Sequence, residues 1–156
     1  MIAGVDLGTR PVTIRELDQL GSASLRSLRV PGSLDALQAA RALAILATRV
    51  EWPAVVWVER PYGRHIRSVA DLSRVYGAVL AAIPTSHALS EISAPEWKKA
   101  IGLAGNAKKT AVIAWAQSEY GLDLDEHQAD ALAIAHACRL SSERAACMIE
   151  GQPEAA

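Results

Sequence analysis

Short apolar runs and longer stretches of helical periodicity succeed one another along this chain. Met1-Ile2-Ala3-Gly4-Val5 is apolar and ends at Asp6, ahead of the turn signal Leu7-Gly8-Thr9. Val12 to Leu17 reads as a strand returning antiparallel, and Leu25 to Val30 as a third, stopped by Pro31-Gly32. Ser33 is then a good N-cap for a helix over Leu34 to Val50, with Leu34, Leu37, Ala40, Leu43, Ala44 and Ala47 on one face. Ala54 to Glu59 is β-branched and apolar without alternation, which predicts a strand covered on both faces. A helix is predicted over Ile66 to Ile83, ended by Pro84, and a last strand over His87 to Ser93. Pro95 suits the first turn of a short helix holding Trp97 to Ile101. Further helices are predicted over Ala107 to Tyr120 and Glu126 to Leu140. There is no internal repeat and no linker. The pattern predicts one α/β domain over residues 1–150, with a mixed sheet, and a frayed tail at 151–156.

Composition narrows the class. A chain of 156 residues that is 51% hydrophobic can bury a real core. No apolar run is long enough to span a bilayer, and no secretory leader pattern opens the chain. Cys138 and Cys147 lack metal-type spacing and read as reduced thiols, which points to the cytoplasm. The formal net charge of -1 does not announce a nucleic-acid binder. Its distribution says more. Arg60, Arg64, Arg67 and Arg74 against Asp71 give a local +3, and Lys98, Lys99, Lys108 and Lys109 against Glu96 give another +3. Glu119, Asp123, Asp125, Glu126 and Asp130 give a local -5. Basic flanks beside an acidic centre suit a polyanion held around a cation-filled site, although ordinary solvated charge would look the same.

The candidate chemistry lies at the ends of the buried elements. Asp6 and Glu59 close two apolar strands, and His127 and Asp130 stand three apart at the start of a late apolar helix. An i, i+3 pair shares one helix face. Each residue has a plain structural reading. Asp6 can cap a turn, His127 can sit exposed at a helix start, and Asp130 can belong to a core ion pair. Glu59 is harder to explain that way, because a lone buried carboxylate is costly without a partner. Together the four suit phosphodiester cleavage with two divalent ions, which want hard oxygen ligands converging from different elements. Asp6-Leu7-Gly8-Thr9 after a strand also resembles the first phosphate loop of actin- and sugar-kinase-type ATPases. Those proteins need two such domains and a second phosphate loop; 156 residues are few for that, and no second Gly-rich loop is visible, so this reading is disfavoured.

Three segments make the pattern specific. They are Ile2-Ala3-Gly4-Val5-Asp6-Leu7-Gly8-Thr9-Arg10, Val55-Val56-Trp57-Val58-Glu59 and His127-Gln128-Ala129-Asp130-Ala131-Leu132-Ala133-Ile134-Ala135. In order and spacing the chain resembles the RuvC family of Holliday junction resolvases, which share the ribonuclease-H-like fold. The resemblance implies a mixed five-stranded sheet flanked by helices. It implies a Mg2+- or Mn2+-dependent endonuclease with two ions per site, acting on branched DNA and on four-way junctions above all. Asp6, Glu59, His127 and Asp130 would be the metal ligands and catalytic residues, with Asp6 bridging both ions. His127 stands where many members carry aspartate and some carry histidine. Tyr62 falls where the family places an aromatic that stacks on a base. Lys98 and Lys109 fall where it places lysines near the scissile phosphate, and Lys109 is counted among the catalytic residues. Arg60, Arg64 and Lys108 complete the DNA-binding set expected from the basic flanks.

The chain departs from the family in its basic loop Arg60 to Arg67, its lack of phenylalanine, its short segment Thr13 to Leu28 and its small net charge. These bear on sequence preference and junction selectivity more than on nuclease chemistry. A four-way junction has near two-fold symmetry, so a C2 homodimer is expected. The Ile66–Ile83 helix, with Val69, Leu72, Tyr76 and Val79, is the candidate dimer face, although the chain's own core takes part of that surface. The sequence names no partner helicase. A non-catalytic branched-DNA binding module, and a nuclease of the same fold acting on flaps, forks or RNA, are the rival readings.

Overall fold

The alternating residues of the first strands separate into two faces, and each face acquires its own layer of helices. The computed structural model describes residues 1–8, 11–18, 22–61 and 66–150, with side chains except at Ile66 and 145–150. Strands β1 (Ile2–Leu7), β2 (Pro11–Leu17) and β3 (Ala23–Arg29) form an antiparallel meander. Strands β4 (Val55–Glu59) and β5 (Ala88–Ile92) run parallel to β1, giving one mixed sheet in the order β3-β2-β1-β4-β5. Parallel neighbours need a crossover, and helices α1 (Ala36–Ala47) and α2 (Ile66–Ala82) supply it. The chain ends in α3 (Ala94–Ala100), α4 (Lys109–Tyr120) and α5 (Glu126–Glu150).

On one face Ala3, Val5, Val12, Ile14, Val56 and Val58 pack against Ala40, Leu43 and Ala47 of α1 and Val75 and Val79 of α2. On the other face lies α5, with Leu17, Trp57, Trp97, Val112 and Ala116 packed around it. Helix α5 is therefore covered both by the sheet and by α3 and α4. Ala131, Leu132, Ala133, Ile134 and Ala135 have no exposed surface at all, which is why this segment shows no polar stripe.

Gly4 sets how close α5 comes to the sheet. A β-carbon there would lie 2.3 Å from the Ala135 amide nitrogen and 2.4 Å from the Ala131 carbonyl oxygen. The helix backbone thus rests directly on the strand, and only glycine beneath it and alanines above it allow the contact.

Several expectations need correction. Helix α1 begins two residues later than the Ser33 cap predicts. Asp35 is the N-cap and forms a capping box with Gln38. The buried face is consequently Ala39, Ala40, Leu43 and Ala47, while Leu37 is exposed. Strand β4 is not equally covered on its two faces: Val56 and Val58 are fully buried, but Val55, Trp57 and Glu59 are only half-buried. Helix α5 runs ten residues beyond the predicted end at Leu140. The α2 stripe is, as expected, shared with the chain's own core. Val79 is in the core, Tyr76 packs against that core, Val69 is half-buried and Leu72 lines the cavity described below. The tail at 151–156 lies outside the described residues. Among the described residues no helix is long and apolar enough to cross a membrane.

Candidate active site

Parallel pairing of β1 with β4 places two carboxylates side by side. The register matches Val5 with Val58, so Asp6 and Glu59 each follow that pair by one residue at the same end of the sheet. Their neighbours Val5 and Val58 turn to the α1/α2 face, so strand alternation turns both carboxylates to the α5 face. The close approach at Gly4 brings the first turns of α5 down onto them. His127, Ala131 and Ala135 are spaced four apart and therefore stack on one side of the helix, with Asp130 on the same side. Asp6, Glu59, His127 and Asp130 thus line one cavity of about 170 Å³, together with Leu7, Arg60, Pro61, Leu72 and Lys109.

The electrostatics of this cavity favour a cation. Burial, followed by the charges of Asp6 and Asp130, pushes the Glu59 carboxyl up to about 8. Burial, followed by Asp6, pushes Asp130 up to about 6. His127 Nδ1 donates to Asp6 Oδ2 at 2.6 Å, and this bond holds the imidazole pKa above its ordinary value despite partial burial. Its other nitrogen, Nε2, lies 3.7 Å from Glu126 Oε1. Perturbed carboxyl groups gathered in a cleft are a mark of functional sites.

The donor set, three carboxylates and an imidazole, fits a divalent ion chemically. A cation would also offset the burial, and then the repulsion from Asp6 and Asp130, that together push the Glu59 carboxyl up. The side chains share the cavity without closing round a single point. Among the described residues no three His, Cys, Asp or Glu groups are close enough to hold one ion as they stand. His127 and Asp6 instead satisfy each other.

The basic residues are distributed less simply than their spacing suggests. Lys109 Nζ sits 2.8 Å from Glu126 Oε1, and that bond raises the lysine pKa while lowering that of the carboxylate. Lys98 is half-buried, donates to the Ala107 carbonyl at 2.9 Å and lies 5.3 Å from the Trp97 ring centroid. Arg60 lines the cavity, and its guanidinium reaches Glu96 at 3.0 Å. Lys108 is exposed at the N-cap of α4. Tyr62 and Arg64 lie outside the described residues.

Two residues of this region carry roles that the sequence pattern does not state outright. Gly4 reads as part of an apolar run and Glu126 as a solvated helix start. Only the first has a usable signal, a glycine inside a strand, which often marks a close backbone approach.

No protein-family model matches the sequence, and no curated protein matches it. Solved structures do match. Thermus thermophilus RuvC superposes with a TM-score of 0.72 at 22% identity, covering 92% of this chain and 96% of that one. The T. thermophilus RuvC structure in complex with a Holliday junction substrate gives a TM-score of 0.74 at 21% identity, covering 92% and 94%. The yeast mitochondrial Holliday junction resolvase Ydc2 gives 0.57 at 11% identity, covering 95% and 85%. The mixed five-stranded sheet, its helices and their order are those of the RuvC-type, ribonuclease-H-like fold.

Proposed function

We propose that this protein is a divalent-metal-dependent endonuclease that resolves four-way DNA junctions by paired symmetric nicks. The observation that carries this reading is the convergence of Asp6, Glu59, His127 and Asp130 on one cavity from three separate elements, with Lys109 beside them. The fold shared with junction resolvases supports it.

Asp6, Glu59, Asp130 and His127 would hold two Mg2+ or Mn2+ ions. Bound ions of this kind supply an activated water and neutralise charge on the attacking and leaving oxygens. The chain's own groups do the rest. Glu59 and Asp130 would have to be deprotonated to hold such ions, and their raised pKa values make that deprotonation pH-dependent. His127 orients Asp6 through its Nδ1 hydrogen and keeps Nε2 for a second partner. Lys109 supplies a cation for the scissile phosphate once it leaves Glu126. Arg60, Arg64, Lys98 and Lys108 hold backbone phosphates, and Tyr62 stacks on a base near the branch point. A C2 homodimer places one such site on each of two symmetry-related strands.

Cleavage of a labelled four-way junction, a fork, a plain duplex and an RNA–DNA hybrid by the purified protein tests this, in Mg2+ and in Mn2+. Paired nicks confined to the junction are expected. Junction binding without cleavage of any substrate in either metal would make the protein a binding module. Preferential cutting of fork or hybrid would reassign its specificity.

A further inference from the structure

Among the described residues, Arg60 and Lys109 line the cavity, and a glutamate beside the cavity rather than in its wall holds each of them. Arg60 reaches Glu96 at 3.0 Å, and Lys109 Nζ reaches Glu126 Oε1 at 2.8 Å. The two glutamates are not equivalent. Glu96 also accepts from the Ser93 amide at 2.7 Å and so caps α3. The cap of α5 is formed by Asp125 and Gln128, which leaves the side chain of Glu126, the first residue of that helix, to other partners. Those partners are two groups of the cavity wall. The oxygen that meets Lys109 lies 3.7 Å from His127 Nε2.

Carboxylate and phosphate offer a lysine the same thing, a charged oxygen that accepts a short N–H bond. An ammonium has three donors, so it can touch two anions at once, but two anions within reach of one lysine repel each other. The weaker holder then gives way. Lys109 and Glu126 are 58% and 44% exposed, so their pair is easily replaced. Exposed pairs of this kind favour the paired state by no more than about fivefold.

We propose that Glu126 is a stand-in for the substrate phosphate: its carboxylate occupies the place of a phosphate oxygen against Lys109, and DNA engages this lysine only by displacing it. Glu126 is then a restraint on DNA engagement rather than a helper. The inference rests on the nuclease reading for the reaction that follows, whereas the competition itself needs only a DNA backbone at the cavity. The plainer role for an acid in a first helical turn is to favour the N-terminal end of the helix dipole.

A mutant cycle separates the two. Binding of a labelled four-way junction without divalent metal is followed by fluorescence anisotropy in the parent, Glu126→Gln, Lys109→Ala and the double variant. The salt is about 0.1 M, where charges more than about 10 Å apart are largely screened. Glu126→Gln should tighten binding by up to about fivefold, and by clearly less where Lys109 is already alanine. Equal gains in both backgrounds would mean that the carboxylate acts only through the overall field, and would overturn the proposal. So would no gain, a loss, or no binding by any variant. A lower melting temperature in Glu126→Gln with unchanged binding would leave the residue its dipole role alone. If the unequal gains appear in a protein that cuts no substrate in Mg2+ or Mn2+, the competition stands and the nuclease reading falls.

Discussion

Replacing Gly4 with alanine should damage the site without touching any group in it. The new β-carbon would fall 2.3 Å from the Ala135 nitrogen, 2.4 Å from the Ala131 oxygen and 2.9 Å from the Ala135 α-carbon. All three are backbone atoms, so no rotamer change relieves the clash. Ordinary contact between such atoms is about 3.5 Å, so α5 must retreat from β1 by about 1 Å. Overpacking of a core commonly costs about 1–3 kcal/mol, and a backbone-on-backbone clash belongs at about 3 kcal/mol or above. At roughly 2–4 °C per kcal/mol for a chain of this size, the melting temperature should fall by about 6–12 °C. The same movement lifts His127 and Asp130 away from Asp6 and Glu59. A misplacement of about 1 Å can cost on the order of 100-fold in rate, so cleavage should fall that far even where the variant is fully folded. Urea unfolding gives the stability loss, and junction cleavage well below the melting transition gives the rate. Gly77→Ala is the control. Nothing lies within 4 Å of a β-carbon there, and alanine should stabilise α2 by up to about 1 kcal/mol. If Gly4→Ala melted within about 2 °C of the parent and cut at a similar rate, the account of how α5 is seated would be wrong.

Other outcomes follow from the same geometry. Asp6→Asn should abolish cleavage while leaving junction binding near the parent value; loss of binding as well would argue against a metal-ligand role. Glu59 and Asp130 bind protons more tightly in the folded chain than in the unfolded one, and so does His127, so metal-free stability should fall as pH rises through about 6 and on towards 8. Added Mg2+ should therefore raise the melting temperature more at pH 8 than at pH 6, and an equal rise at both would contradict the assignment of the ligands. Three carboxylates and an imidazole form a softer, less anionic set than four carboxylates, so Mn2+ should support faster cleavage than Mg2+, and His127→Ala should reduce that preference; equal rates in both metals with an unaffected variant would remove His127 from the site. Lys109→Ala should slow cleavage with little change in stability, because its ion pair with Glu126 is largely exposed and worth less than about 1 kcal/mol; a large drop in melting temperature would make the pair structural instead.

Much of this fold is legible in one dimension. Asp6 and Glu59 announce themselves because they end apolar runs, and those runs with their turn signals, together with the helical patterns, place the strands and most helix boundaries within a few residues of their observed positions. These are local properties: they depend on neighbours a few positions away, and composition carries them. His127 and Asp130 are legible for the same reason, since their spacing puts them on one helix face. Other features depend on contacts between distant segments. Asp35 rather than Ser33 caps α1, because the reciprocal bonds with Gln38 and the packing of Ala40 and Leu43 in the core shared with the sheet set the start of the helix. The α2 stripe reads equally well as a dimer face or as core, and packing against the sheet decides most of it. Lys98 and Lys109 look alike as solvated cations, yet one is tied to a carbonyl beneath it and the other to Glu126. The sequence by itself determined which residues carry the candidate chemistry and on which elements they stand. Only the tertiary structure decided that they meet, because their meeting rests on the β1–β4 register and on the absence of a single β-carbon at Gly4, and neither the pairing of remote strands nor the clearance between two backbones leaves a periodic mark along the chain.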